Sequence, residues 1–180
     1  MHRHLDSAED WRKRVQWVNF SWLLLALVCA LLTCGCRKHN FVSSSMQPTI
    51  KAGEIISVNY TAYAVGSPKR WDVVAFEPSM FPNELWLMRV IALPGESVAF
   101  ATGNVTVNGQ ALLLPSNISN VLYVSLDHPA LAGHGSIIPS PYVVPKDCYF
   151  VMGDCSTNSN DSRMWGGLPR TNIMGKVRNK

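Results

Sequence analysis

The chain has 180 residues, of which 47% are hydrophobic and 16% charged, and its formal net charge is +4. This composition excludes a disordered or collagen-like chain. A polytopic membrane protein would need several long, strongly apolar segments, and the sequence indicates one. The longest basic run is RKR at residues 12–14, which is too short to indicate nucleic acid as a partner.

Residues 15–36 contain no charged side chain. A helix of this length spans roughly 33 Å, which is enough to cross a hydrocarbon core of about 30 Å. Four Lys or Arg residues precede the segment, and two, Arg37 and Lys38, follow it closely. By the positive-inside rule, we expect a cytoplasmic segment at 1–14, a transmembrane anchor at 15–36 and an exported domain at 37–180.

The same N-terminal pattern has two other interpretations. A basic start followed by an apolar stretch is also typical of a cleaved signal peptide. The sequence LTCGC at residues 32–36 is similar to a lipoprotein processing site. Cleavage at Cys34 or Cys36 would favour a lipoprotein or secreted β domain of unrelated function.

After residue 36 the pattern is that of short strands and turns. Runs rich in β-branched and aromatic side chains predict strands at 54–59, 71–76, 85–91, 104–107, 121–125 and 148–152. The run at 85–91 is apolar on both faces as far as Arg89, so we expect a buried central strand. Asp154 is expected to close a turn, and residues 113–140 to form an irregular surface excursion. These elements predict a mainly β domain of several small antiparallel sheets.

Two cysteines, Cys148 and Cys155, lie outside the apolar segment and its end. In an oxidising compartment they could form a disulfide, and otherwise one would be a core residue and the other a loop thiol. Their spacing, without paired histidines nearby, does not support a zinc site.

Four blocks stand out after the anchor: SSSMQPT at 43–49, KRWDVV at 69–74, MRVIALPGE at 88–96 and GDCSTNSNDSR at 153–163. In this order they resemble type I signal peptidases, which are membrane-anchored serine endopeptidases with a Ser/Lys dyad. The resemblance extends over about residues 41–177. It implies the signal-peptidase fold behind one N-terminal transmembrane helix, removal of signal peptides from exported preproteins, and no metal or organic cofactor.

The resemblance also implies roles for individual residues. Ser45 would be the nucleophile that attacks the scissile carbonyl. Its backbone N–H and the hydroxyl of Ser43 would form the oxyanion hole. Ser159 would orient the base, and Asp161 and Arg163 would form an ion pair that holds their loop. From the residues alone, that pair could equally be an exposed surface contact.

The sequence departs from the family pattern at Met88, where the dyad lysine is expected. A serine hydroxyl needs a nearby proton acceptor. A buried lysine can serve because desolvation lowers its pKa, whereas a thioether cannot accept a proton at neutral pH. The alternatives are a pseudoprotease that binds without cutting, a replaced lysine, slow proteolysis without a base, or a base recruited from elsewhere. Candidates for that base are Lys51, Lys69, His39, His128 and His134.

The expected substrate is the signal peptide of a preprotein, docked as an extended strand against a sheet edge, with small residues entering two shallow pockets. The lipid bilayer is a second expected partner, because only residues 37–40 separate the anchor from Phe41. Met46 is expected to help the loop contact lipid. A second protease subunit is a further candidate partner. The expected location is the bacterial plasma membrane, with the mitochondrial inner membrane as the alternative.

Overall fold

The computed structural model describes residues 35–101, 104–125, 128–129 and 138–178. A compact unit extends from Arg37 to Lys180. The predicted anchor lies outside the described residues except for Gly35 and Cys36, and Cys36 already belongs to the first strand. Within the part of the chain that is described, no helix is long and apolar enough to cross a membrane. The predicted segment boundaries therefore stay a prediction.

The domain is built from two sheets. The strands of the larger sheet are β1 Cys36–Phe41, β2 Glu54–Asn59, β3 Val73–Phe76, β4 Trp86–Ala92, β9 Cys148–Met152, β10 Leu168–Pro169 and β11 Ile173–Val177. Those of the smaller sheet are β5 Ser97–Ala101, β6 Asn104–Val107, β7 Gln110–Ala111 and β8 Tyr142–Val143. The larger sheet has the order β1-β2-β11-β3-β4-β9-β10 and the smaller the order β7-β6-β5-β8.

Neighbouring strands from β2 to β10, and all neighbours in the smaller sheet, pair antiparallel. The prediction of a mainly β domain with antiparallel sheets is thus confirmed. The expectation of several small sheets is wrong, since one sheet has seven strands. The helical elements whose residues are all described are single turns at Ser116–Ile118, Ser162–Trp165 and Arg170–Asn172.

Strands with a regular apolar pattern were predictable. The expected runs at 54–59, 104–107 and 148–152 coincide with β2, β6 and β9, and the buried run at 85–91 differs from β4 by one residue at each end. The run at 121–125 forms only two isolated bridges, one of which joins Leu122 to Cys155. Its partners are single residues, so no ladder extends it.

Two strands, β1 and β11, have no regular apolar pattern in the sequence. β1 is mostly polar, with the sequence CRKHNF, because it lies at the edge of its sheet. β11 is interrupted by Gly175, where a Cβ atom would lie 2.5 Å from the carbonyl oxygen of Asn59. This close backbone approach requires glycine, and it hides the strand from pattern recognition.

The surface position expected for residues 113–140 is wrong for a part that the structure describes. Ile118, Val121 and Tyr123 are buried in a core cluster that also contains Val98 of β5 and Phe150 of β9. The segment is irregular, as predicted, but its apolar side chains cover the smaller sheet. Because they occur without a strand or helix period, the sequence pattern resembles that of a surface loop.

The loop after β1 is anchored by apolar side chains. Met46 and Ile50 are fully buried in the cluster that contains Ile56, Val58 and Leu87. The expectation that Met46 contacts lipid is therefore wrong. Burial of each such side chain contributes about 1.5–3 kcal/mol, which holds the neighbouring serines in place.

Candidate active site

The three consecutive serines lie in the loop that follows β1. The backbone N–H of Ser45 donates to the Ser43 hydroxyl at 3.1 Å, and that hydroxyl donates to Ser45 Oγ at 3.1 Å. The turn continues with a hydrogen bond from Gln47 N–H to the Ser44 carbonyl at 3.1 Å. The two expected oxyanion-hole donors thus stand beside the expected nucleophile and bond to each other or to it.

The loop at 153–163 holds this serine loop from the other side. The backbone N–H of Cys155 donates to the Ser45 carbonyl at 2.9 Å. The side-chain amide of Asn158 donates to the Ser44 hydroxyl at 2.8 Å. Segments more than a hundred positions apart in the chain therefore form one site.

Met88 lies in the buried part of β4, with 2% of its surface exposed. The antiparallel register pairs Arg89 with Met152. Its continuation puts Met88 opposite Gly153. A Cβ atom on Gly153 would lie 2.4 Å from Ser159 Oγ and 2.6 Å from the Ser45 carbonyl oxygen, so this position has no room for a side chain.

Ser159 is buried, with 8% exposure. Its hydroxyl oxygen has no hydrogen-bond partner among the described residues. Buried polar groups are nearly always hydrogen-bonded, so an unsatisfied hydroxyl next to Gly153 and the Ser45 loop requires an explanation. A neighbouring side chain able to donate or accept would satisfy it, and a thioether is at best a weak acceptor.

Ser45 and Met88 both line a groove of about 560 Å³. Its lining consists of residues 40–43 and Ser45, residues 84–88, and Asn158 and Asn160. Among these lining residues there is no lysine, arginine or histidine, and the single ionisable side chain is Glu84. The lining near Met88 is therefore neutral.

The candidate replacement bases are not in this lining. Lys51, Lys69, His39 and His128 are described, and none of them lines the groove. The His39 ring nitrogen Nε2 is hydrogen-bonded to the Tyr60 hydroxyl at 2.9 Å. His134 lies outside the described residues.

One wall of the groove is an open strand edge. β4 pairs with β3 from Trp86 to Arg89 but with β9 only from Arg89 onward. The N–H and carbonyl of Val90 face the β3 side, where they bond to Asp72 and Trp71. Because these directions alternate along an antiparallel strand, the backbone groups of Leu87 face the opposite side. Among the described strands, none pairs with β4 at Leu87 on that side.

Asp161 and Arg163 form a fully buried, bidentate ion pair, with two N–O distances of 2.8 Å. The Arg163 guanidinium also donates to the carbonyls of Val124 and Ser156, at 2.9 and 2.6 Å. Asp161 accepts from the Gly153 N–H at 3.2 Å. The alternative of an exposed surface pair is excluded, and the pair fastens the 153–163 loop to the 121–125 segment.

A second buried ion pair was missed by the sequence reasoning. Arg89 donates to both oxygens of Asp154, at 2.9 and 2.5 Å, and the Tyr123 hydroxyl donates to Asp154 Oδ1 at 2.5 Å. Asp154 lies just after β9, as the turn prediction requires, but the sequence did not predict that its carboxylate pairs with Arg89. An arginine in an otherwise apolar central strand was the available signal, because a buried charge needs a partner.

The electrostatics of this network follow from its burial. Burial alone would lower the pKa of Arg89, but the hydrogen bonds and charge of Asp154 outweigh it and raise that pKa. Burial, followed by the charge of Asp154, raises the pKa of Tyr123 far above its ordinary range. The guanidinium thus stays charged and the phenol neutral at every physiological pH.

The two domain cysteines are free thiols in this structure, so no disulfide joins Cys148 and Cys155. Burial, with a smaller contribution from Asp147, raises the pKa of the Cys148 thiol. In the described part of the chain, no cluster of His, Cys, Asp or Glu has the composition of a metal site.

Comparison with known proteins decides the family. The model of the family "Signal peptidase, peptidase S26" matches residues 14–180. The chain belongs to this family. Signal peptidase I from Leptolyngbya laminosa is 32% identical over 86% of this chain and 73% of that protein. Probable signal peptidase I-1 from a Synechocystis strain is 33% identical over 87% and 78%.

A third relative comes from a different bacterial group. Signal peptidase IB from Staphylococcus aureus strain COL is 32% identical over 77% of this chain and 74% of that protein. The family match to residues 14–180 includes the groove with its serine loop, the β4 strand and the 153–163 loop. The family is one of serine proteases, and the resemblance found in the four sequence blocks is confirmed.

Proposed function

We propose that this chain binds the cleavage region of exported preproteins in the groove and cleaves it far more slowly than a family member with a lysine at position 88. The observation that carries the proposal is the neutral lining of the groove. It contains Ser45 but, among its described residues, no lysine or histidine that could take the serine proton. Recognition is retained while general-base catalysis is missing.

The binding half of the proposal rests on the open edge of β4. An extended peptide would pair with the free backbone groups of Leu87 on one wall and lie against residues 40–43 on the other. Strand addition of this kind supplies main-chain hydrogen bonds without depending on a particular side chain. The relatives are named signal peptidase I, so the peptide we propose is a signal peptide with small residues before the scissile bond.

In the catalytic half of the proposal, Ser45 Oγ stands where a peptide carbonyl would enter the groove. The Ser45 N–H and the Ser43 hydroxyl would turn from each other toward the developing oxyanion. The missing component is the proton acceptor. General-base catalysis contributes about 10²–10⁴-fold in rate, and this is the factor that we expect Met88 to remove.

A lysine at position 88 would also explain the unsatisfied hydroxyl of Ser159. Methionine and lysine have similar unbranched stems, and an ammonium or amine on that stem could hydrogen-bond to Ser159 Oγ. The buried, unpartnered state of this hydroxyl supports the view that the site is built for a polar group that methionine lacks. Asp161 and Arg163 support the loop that carries Ser159 and are not placed in the reaction itself.

The second candidate function is that of an active serine endopeptidase. It is favoured by the mutual hydrogen bonds of Ser43 and Ser45, which keep the nucleophile and both oxyanion donors together. For either function we propose that the groove works at a membrane surface with the lipid bilayer as a partner, in the bacterial plasma membrane or, alternatively, the mitochondrial inner membrane. A second protease subunit remains a further proposed partner.

The test uses the full chain in lipid nanodiscs with a labelled preprotein. It compares the native chain with Ser45→Ala, Met88→Lys and Met88→Leu, the last being a matched apolar control that keeps the shape without adding a base. We expect all four to bind, and Met88→Lys to cleave about 10²–10⁴ times faster than the native chain in single turnover. Met88→Leu should behave like the native chain.

Three outcomes would contradict the proposal in different ways. Native cleavage that is lost in Ser45→Ala and not accelerated by Met88→Lys would establish the endopeptidase with another base. Failure of every variant to bind the preprotein would remove the recognition role. Binding without cleavage by Met88→Lys would show that the defect lies elsewhere than in the missing base.

A further inference from the structure

A carboxylate stands alone in the groove lining. Glu84 is the one ionisable side chain among the described residues that line the groove, and it precedes Met88 by four positions. The other polar lining residues are neutral: Asn40, Ser43, Ser45, Asn158 and Asn160. Any charge preference of a bound chain along this lining must therefore come from Glu84.

This carboxylate is held in place by an aromatic group. The indole N–H of Trp86 donates to Glu84 Oε2 at 2.8 Å. The Trp86 ring stacks on Phe81, with centroids 5.6 Å apart, and meets the edge of Phe76 at 6.2 Å. Because the indole is fixed by these two rings, the carboxylate has a defined position. Its second oxygen, Oε1, receives no hydrogen bond from the described residues.

We infer that Glu84 makes the groove selective for a basic side chain in the bound peptide. This inference rests on the proposed function, because it requires a peptide in the groove. β4 begins at Trp86, so Glu84 lies two residues before the strand. At about 3.3 Å per residue in an extended chain, Glu84 is at most about 13 Å from Met88. The selected residue therefore stands about four positions from the peptide bond that faces Ser45.

The size of the effect follows from the exposure of the carboxylate. Glu84 is exposed to solvent, and exposed ion pairs are weak. We expect a peptide with lysine at the selected position to bind about two to five times more tightly than one with glutamine. A peptide with glutamate should bind more weakly than the glutamine peptide, and both differences should shrink at high ionic strength.

The experiment measures the binding of fluorescent peptides to the full chain in nanodiscs by anisotropy. Each peptide carries an Ala-x-Ala boundary in an otherwise neutral sequence. Lysine, glutamine or glutamate is placed four positions before or four positions after the boundary. At one of the two positions the native chain should prefer lysine over glutamine over glutamate. Glu84→Gln should abolish this order, and Glu84→Lys should reverse it.

The matched control is Glu77→Gln. It makes the same change as Glu84→Gln just after β3, outside the groove lining, and its amide oxygen can still accept from the Asn83 N–H. This variant should leave the order unchanged. Equal binding of all three peptides at both positions would overturn the inference while the proposed function stands. Loss of the order in Glu77→Gln would also overturn it, since general charge attraction would then be the cause. If no peptide binds, including the neutral glutamine peptides, the result contradicts the proposed function itself.

Discussion

Met88 and Arg89 are neighbours on one strand, and their side chains have different surroundings. Successive side chains of a strand point to opposite faces. Arg89 meets Asp154 and Tyr123 in a buried network in which both carboxylate oxygens accept hydrogen bonds. On the other side, Met88 belongs to a site where the Ser159 hydroxyl has no partner among the described residues.

This difference shows that the interactions that hold the site in place are not the ones that the reaction requires. The buried ion pairs of Arg89 and Arg163 hold the strand and the loop that frame the groove, and each has a carboxylate partner. Neither pair requires a base at position 88. A methionine there removes a proton acceptor but leaves the hydrogen bonds of the framework intact, so the fold persists where we expect catalysis to be lost.

The largest expected effect is that of removing a buried charge. Arg163→Met leaves the Asp161 carboxylate buried without a counter-charge, so the free energy of unfolding should fall by about 3–5 kcal/mol. The control is Lys176→Met, because Lys176 is paired with Asp72 but is 42% exposed. That change should cost about 0–1 kcal/mol in the same denaturant titration. Equal losses would mean that burial does not distinguish the two pairs.

A smaller effect is expected from Gly153→Ala. The added methyl group would lie 2.4 Å from Ser159 Oγ and 2.6 Å from the Ser45 carbonyl oxygen. Overpacking of this kind costs about 1–3 kcal/mol, and it should also weaken peptide binding because the Ser45 loop must move. Gly175→Ala creates a similar clash, at 2.5 Å from Asn59, away from the groove lining. If both variants still bind the peptide, Gly153 is not part of the peptide-binding site.

The Arg89 network also predicts a dependence on alkaline pH. The folded chain keeps the Tyr123 proton above the ordinary tyrosine pKa of 10.0, whereas the unfolded chain releases it. Stability is therefore complete below pH 10 and falls as the pH rises further, by up to about 1.4 kcal/mol per pH unit for this group. Tyr123→Phe should flatten that slope. The comparison is made in a Tyr63→Phe background, because burial and Asp72 raise the pKa of Tyr63 as well. An unchanged slope would contradict the buried network.

The smallest expected effect on stability belongs to Ser159→Ala. Removing a buried hydroxyl that has no partner should leave the free energy of unfolding unchanged or raise it by up to about 1 kcal/mol. Ser162→Ala is the control, because the Ser162 hydroxyl accepts from the Val151 N–H at 2.9 Å. Its loss leaves that N–H unsatisfied and should cost about 1–3 kcal/mol. In a Met88→Lys background, Ser159→Ala should instead lower the cleavage rate. A large loss of stability in the native background would show that Ser159 has a structural partner.

The sequence could predict the elements whose signals are local. β2, β6 and β9 have regular apolar patterns and coincide with their predicted ranges. β1 and β11 could not be predicted in this way, because one lies at a polar edge and the other depends on Gly175. The burial of Ile118, Val121, Tyr123 and Val124 was also missed, since irregular segments have no period to detect.

By itself, the sequence determined the family, through four blocks in a fixed order, and the absence of a lysine at position 88. Both are properties of residue identity, which needs no coordinates. The tertiary structure decided what these residues meet. It brought the Ser45 loop against Gly153 and Ser159, paired Arg89 with Asp154, and left no described lysine or histidine in the groove. Such contacts join residues far apart in the chain, and they depend on strand order and register, which local sequence patterns do not specify.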